Sequence, residues 1–184
     1  MATPTIVYRV DAQDRIVSVN GAWNAFASAN GGAAVASTRV IGRNLFEFIT
    51  DATTQQLYRQ MLARIRSGQD LQYTYRCDSP DRRRLMEMEM RLVDDAGSVE
   101  FRSVSLEEHA RAPLHIPQAD GADDAEDSEL QRSCGWCNRL EVEGEWLEIE
   151  DALPKLRFME HERPTMLTHG MCDECLERML AELV

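Results

Sequence analysis

The stretch "LQYTYRCDSPDRRRLMEMEMRLVDDAGSVEFRSVSL" (71–106) decides the fold, because its apolar residues alternate. In 71–77, Leu71, Tyr73, Tyr75 and Cys77 fall on one face. In 84–92, Met86, Met88, Met90 and Leu92 oppose Glu87, Glu89 and Arg91. A period of two belongs to a strand with one buried and one wetted face. After the turn "DDAG" the alternation returns in "SVEFRSVSL" (98–106), so the stretch predicts three antiparallel strands.

Upstream, "DATTQQLYRQMLARIRSG" (51–68) is the strongest helix signal in the chain. Asp51 suits the N-cap, Leu57, Met61, Leu62 and Ile65 make an apolar stripe, and Gly68 stops the helix. "TIVYRVD" (5–11) and "RIVSVN" (15–20) are short apolar runs joined by "DAQD", which predicts a hairpin. "GAWNAFASANGG" (21–32) predicts a short helix with Trp23 and Phe26 on one face, and "VIGRNLFEFITD" (40–51) an irregular segment with a single turn.

Two strands, short helices, one long helix and a three-strand meander, in that order, resemble a PAS domain over residues 4–106. Asn20 after the second strand and Ile41-Gly42-Arg43 match the family's weak signature. The resemblance implies a five-stranded antiparallel sheet with helices on one face, a small ligand or a protein partner bound in that concavity, and homodimers. The pocket lining it implies is Trp23, Phe26, Phe46, Tyr58, Tyr73, Tyr75, Met86 and Met88, with plain core packing as the competing role for the same side chains. Haem is disfavoured, since residues 1–106 contain no histidine. Flavin photochemistry is disfavoured too, because "RNLFEFITD" has no cysteine. The ligand itself stays open.

The net charge of −12 is unevenly spread. Residues 1–106 carry net +1, residues 107–131 net −7 and residues 132–184 net −6. Residues 107–131 hold an acidic run with few apolar side chains, too few to offset the entropy of ordering, and are expected to be a flexible linker. An acidic chain is a poor fit to phosphate backbones, so no nucleic-acid partner is expected. No run reaches the roughly 18 apolar residues of a membrane helix. "MATPTIVYRVDAQDR" has neither a basic leader nor an apolar signal core, so the expected location is cytoplasmic, where thiols stay reduced. Arg82-Arg83-Arg84 is expected either in a solvated turn or against an acidic partner, the chain's own acidic tail included.

Residues 132–184 hold four of the five cysteines, as Cys134/Cys137 in "SCGWCNRL" and Cys172/Cys175 in "THGMCDECLERM". Two Cys-x-x-Cys pairs suit one tetrahedral Zn²⁺, and a unit of ~50 residues needs such a staple. The spacer "RLEVEGEWLEIE" (139–150) predicts a hairpin turning at Glu143-Gly144, "EIEDALPKLRF" (148–158) a short helix, and "CDECLERMLAELV" a helix with Cys175 in its first turn. Knuckle, hairpin and helix are similar to a treble-clef zinc finger. His169 competes as a ligand but is expected outside the four-thiolate set. Gly135 and Gly170 are expected to turn the backbone sharply, and Trp136 to cover the metal or pack on the last helix.

The sequence therefore predicts an α+β protein: a PAS-like unit (4–106), an acidic linker (107–131) and a zinc-binding α+β unit (132–184). It predicts a cytoplasmic signalling or regulatory protein, not an enzyme, acting through an unidentified protein partner. The alternatives are a thiol/zinc redox-sensing regulator and a zinc-dependent hydrolase.

Overall fold

The computed structural model describes residues 4–30, 32–114, 129–156 and 165–183. The first sheet has five antiparallel strands: β1 (Ile6–Val10), β2 (Ile16–Val19), β3 (Leu71–Arg76), β4 (Arg82–Leu92) and β5 (Val99–Ala110), in spatial order β2-β1-β5-β4-β3. The registers Tyr8↔Phe101, Met90↔Phe101 and Leu71↔Met90 align the alternating apolar residues across four strands on one face. That face is covered by α3 (Ala52–Arg66), whose stripe Leu57, Met61, Leu62 and Ile65 is buried. Asp51 caps α3 by accepting from the Thr54 N–H, and Gly68 leaves it at φ +90°. The chain is α+β, with helices on one face of the sheet and a cysteine cluster near its C-terminal end.

The link from β2 to α3 contains the expected short helix α1 (Gly21–Ala29) and the expected single turn, a 3₁₀ turn at Leu45–Phe48, and between them a further 3₁₀ turn (Ala33–Val35) and α2 (Ser37–Val40) that the sequence did not announce. Asn20 ties this region together. Its Oδ1 accepts from the Trp23 and Val7 N–H groups at 3.0 and 3.2 Å, and its Nδ2 donates to Thr5 O at 2.8 Å. A capping box at Asn44 and Glu47 starts the turn before α3.

The opposite face is ionic. Glu100 lies there at 3% exposure, held by Arg9 at 2.6 Å and Arg91 at 2.6 Å. Desolvation pushes its carboxyl up, but those two guanidiniums more than offset this and leave it below the ordinary value.

A second sheet, β8-β7-β6-β9, comprises β6 (Glu129–Cys134), β7 (Leu140–Val142), β8 (Glu145–Leu147) and β9 (Thr165–Gly170). β7 and β8 form the predicted hairpin, with Glu143 at φ 53° and Gly144 at φ 86° in its turn. β6 and β9 pair in parallel from Glu129↔Thr165 to Cys134↔Gly170, a pairing the sequence did not disclose. α4 (Ile149–Leu156) and α5 (Asp173–Glu182) complete the unit.

β5 runs four residues past 106, pairing Arg82–Leu85 with Glu107–Ala110, and β6 starts at Glu129. Residues 115–128 of the expected linker lie outside the described residues. The two sheets share one hydrophobic core: Trp136, Met171, Cys172, Cys175 and Met179 join Leu57, Met61, Tyr73 and Phe101 in it. Beside this core the arginines of the first unit meet acids at the start of α4. Arg76 binds Glu148 at 2.6 Å, Arg83 binds Glu150 at 2.6 Å, and Arg111 reaches Glu150 at 3.3 Å. Of the three consecutive arginines, Arg83 is the one on the acidic C-terminal unit; Arg82 and Arg84 meet Glu108 on β5.

Candidate functional site

The four Sγ atoms of Cys134, Cys137, Cys172 and Cys175 lie within 4.8 Å of one another. Cys134 ends β6, and the turn beyond it is closed by Cys134 N–H to Arg139 O at 2.8 Å and Asn138 N–H to Cys134 O at 2.9 Å. The left-handed residue of this knuckle is Asn138, at φ 62°. Gly135 lies in the turn after Cys134, as expected, while Gly170 ends β9, and neither takes a positive φ. Instead they allow close approach: the Gly135 N–H donates to Gly170 O at 3.0 Å, and a Cβ on Gly170 would stand 3.2 Å from the Arg132 guanidinium. Cys172 is the N-cap of α5 and Cys175 lies in its first turn, where the helix dipole favours thiolates.

The donor set can hold a metal ion. Four sulfurs each ~2.3 Å from one centre stand about 3.8 Å apart, and Cys137 Sγ lies 3.7 Å from Cys172 Sγ. Two further groups favour negative sulfur here: the Cys172 N–H is 3.5 Å from Cys134 Sγ, and the Arg178 guanidinium is 3.7 Å from Cys175 Sγ. Hydrogen bonds from the Cys137 and Cys175 thiols hold Cys134 well below the usual thiol range. As donor to Cys134, Cys137 is pushed up to about 12. A bound metal deprotonates all four. Among the described residues His169 is not in the cluster.

His169 instead lines a cleft of about 520 Å³ beneath α1, where loss of solvent favours its neutral ring. Trp23, Phe26, Tyr75 and Met88 of the expected pocket lining are there, joined by Tyr8 and Ser103. Tyr8 stacks on Phe101 at 4.3 Å and meets Trp23 edge-on at 5.3 Å, while the Trp23 Nε1–H donates to Val35 O at 2.8 Å. The Tyr75 hydroxyl and Ser103 Oγ are 2.6 Å apart. Tyr58 and Tyr73 belong to a smaller inner chamber of about 210 Å³, which shares Tyr75 and Met88 with the cleft. Burial pushes all four phenols up, so they act as neutral hydrogen-bonding groups. Phe46 and Met86 line neither space. Phe46 lies under the Arg59 guanidinium at 4.5 Å, and Met86 is buried at the register of Tyr75 and Ser105.

Trp136 departs furthest from expectation. Its indole goes into the first unit, 6.1 Å from Tyr73 in a stacked pose and 5.9 Å from Tyr58 edge-on, at 5% exposure. The Arg76 N–H at the end of β3 donates to Trp136 O at 2.7 Å. Sequence carried one usable hint: an aromatic between two ligand cysteines has no room to be buried within its own knuckle.

Among the described residues no helix is long and apolar enough to cross a membrane. No protein-family model matches the chain, and no curated protein matches it. Solved structures similar to it include a domain of an HTR-like protein from Haloarcula marismortui, at 14% identity and TM-score 0.41 over 57% of this chain and 100% of that one. The RpfR quorum-sensing receptor PAS domain of Cronobacter turicensis, in complex with C12:0, matches at 15% identity and TM-score 0.41 over 56% and 94%. The photoactive yellow protein domain of the sensor histidine kinase Ppr from Rhodospirillum centenum matches at 18% identity and TM-score 0.42, over 55% of this chain and 91% of that one.

Proposed function

We propose that this is a cytoplasmic signalling or regulatory protein of non-catalytic type. Its five-stranded unit binds a small, largely apolar molecule, and its four cysteines hold one structural zinc. The observation that carries the reading is the cleft beneath α1, about 520 Å³, walled by aromatic side chains and Met88 with few polar groups (Asn30, Asp78, Ser103 and His169 among them). Such a lining suits a flat or flexible apolar ligand oriented by one or two hydrogen bonds. Four thiolates close a zinc site and leave no position for an activated water, which supports a structural metal over a hydrolytic one.

Output passes to a protein partner, and a second copy is the first candidate, pairing through the outer face of the five-stranded sheet. A thiol-based redox regulator is the second reading. It is favoured by Cys137, which is part-exposed with its sulfur 3.7 Å from that of Cys172. Without zinc, a peroxide would join these two thiols as a disulfide, itself being reduced to water.

Native mass spectrometry of the freshly purified full chain tests both parts. The expected result is one zinc per chain and a retained or added apolar ligand, lost when Met88→Trp fills the cleft. A zinc-free chain with free thiols refutes the metal reading. A zinc-loaded chain that binds no member of a fatty-acid and aromatic library refutes the ligand reading.

A further inference from the structure

We propose that the C-terminal unit reads the cleft beneath α1 through His169, so that a molecule held in the cleft and a metal held by the four cysteines strengthen each other's binding. The proposal rests on the ligand and zinc readings above and names how the one is reported by the other.

The cleft is built mostly from the first unit, yet His169 in its wall comes from β9 of the second. The side chain is solvent-accessible, so a molecule entering the cleft touches it directly. The same side chain lines a second groove, of about 480 Å³, with Phe48 and Thr54 from the first unit and Trp136 and Leu167 from the second. His169 therefore stands at the seam between the units. The cleft is joined to the C-terminal unit a second time through Asp78 in its wall. Asp78 is held by Arg76 and Arg111, which also hold Glu148 and Glu150 at the start of α4.

From His169 the path to the cysteines is short. In the parallel β6–β9 pair His169 stands opposite Ser133, and the next pair, Cys134↔Gly170, carries the first cysteine. Three residues beyond His169 comes Cys172, whose N–H lies 3.5 Å from Cys134 Sγ. A displacement of β9 at His169 thus moves one cysteine of each pair, through paired strands rather than a loose loop.

The sign of the coupling follows from space. The cleft's volume of about 520 Å³ is what remains with His169 in place, so a molecule that fits it meets the ring without displacing it. That contact exists only while β9 is docked, and the docked unit is the arrangement that holds the four Sγ atoms within 4.8 Å of one another. A ligand shifts an equilibrium by its differential affinity for the two states, and the resulting coupling is reciprocal.

The probe is 2-naphthol, a flat apolar molecule with one hydroxyl, and the sample is the full chain. Naphthol binding is followed by its fluorescence, with Met88→Trp as the blocked-cleft control, and zinc affinity by competition with a chromophoric chelator. Saturating naphthol is expected to tighten zinc binding about fivefold or more, and zinc to tighten naphthol binding by the same factor. In His169→Ala, at its own saturation, the factor should fall to about one although zinc still binds. Phe26→Leu, which alters the cleft within the first unit, should weaken naphthol and keep the factor. Naphthol and zinc that both bind wild type with no mutual effect overturn the proposal, as does an undiminished factor in His169→Ala. If His169→Ala no longer binds naphthol, the ring is a ligand contact and the wild-type cycle alone decides the coupling. A chain that takes up no zinc, or no naphthol in a manner blocked by Met88→Trp, refutes the corresponding reading above and this proposal with it.

Discussion

Replacing Asp78 by alanine probes the ionic joint between the two units. Its side chain is 2% exposed and is held by Arg76, by Arg111 at 3.4 Å, and by the Arg84 N–H at 3.1 Å. Breaking a buried ion pair costs about 3–5 kcal/mol when the remaining partner is left bare. Here neither guanidinium is left bare: Arg76 keeps Glu148 at 2.6 Å and Arg111 keeps Glu150 at 3.3 Å. The cost then reduces to the lost charge-assisted bonds and the orphaned Arg84 N–H, about 2–3 kcal/mol. Glu89→Ala is the control, because Glu89 meets Arg102 at 3.6 Å with both side chains well exposed, and screened pairs of this kind contribute about 0–1 kcal/mol. Urea unfolding of the zinc-loaded chain at low and high salt measures both. The Asp78 loss should persist at high salt and the Glu89 loss should vanish. If Asp78→Ala falls within about 0.5 kcal/mol of the control, the burial argument is wrong.

Cys137→Ser and Cys172→Ser should each lower bound zinc to half or less of wild type by elemental analysis, while His169→Ala keeps full stoichiometry; a zinc-poor His169→Ala would make the imidazole a ligand. Glu100 has a folded pKa below the ordinary value of 4.5, so its stabilisation is complete above that value and is lost as pH falls through the folded pKa. Glu100→Gln should therefore be less stable at neutral pH and show a shallower acid limb, and an unchanged limb would discount the Arg9–Glu100–Arg91 cluster. At Asn138, φ 62° suits glycine better than a β-branched residue; Asn138→Val should cost about 1–2 kcal/mol in zinc-loaded thermal unfolding, with Asn138→Gly close to wild type.

Local periodicity made much of this legible. Alternation from Leu71 to Val104 and the stripe Leu57-Met61-Leu62-Ile65 identify their elements because each side chain answers to a neighbour two to four residues away. The paired cysteines announce themselves by spacing. What escaped depends on groups far apart in the chain. The β6–β9 pairing joins Ser133 to His169 through backbone bonds that carry no residue signature. Glu100 alternates like a wetted residue, yet Arg9 from the first strand and Arg91 from β4 close over it. Asp78 sits in a "DSPD" turn that reads as solvated, yet Arg76 and Arg111 close over it. Nothing in "CGWC" indicates that Trp136 meets Tyr58 and Tyr73.

The outer strands of the five-stranded sheet have open sides, where unpaired backbone groups invite a foreign strand. Along β2 the invitation is refused locally: the Ile16 N–H donates to Arg43 O and Ile16 O accepts from the Gly42 N–H. At β3 the guard comes from the other unit, through the Arg76–Trp136 backbone bond. A fragment ending before residue 129 removes that guard and bares the end of β3. Self-association of such a fragment would then report strand-to-strand aggregation at a cut surface, and only the full chain can reveal whether the outer sheet face pairs with a second copy.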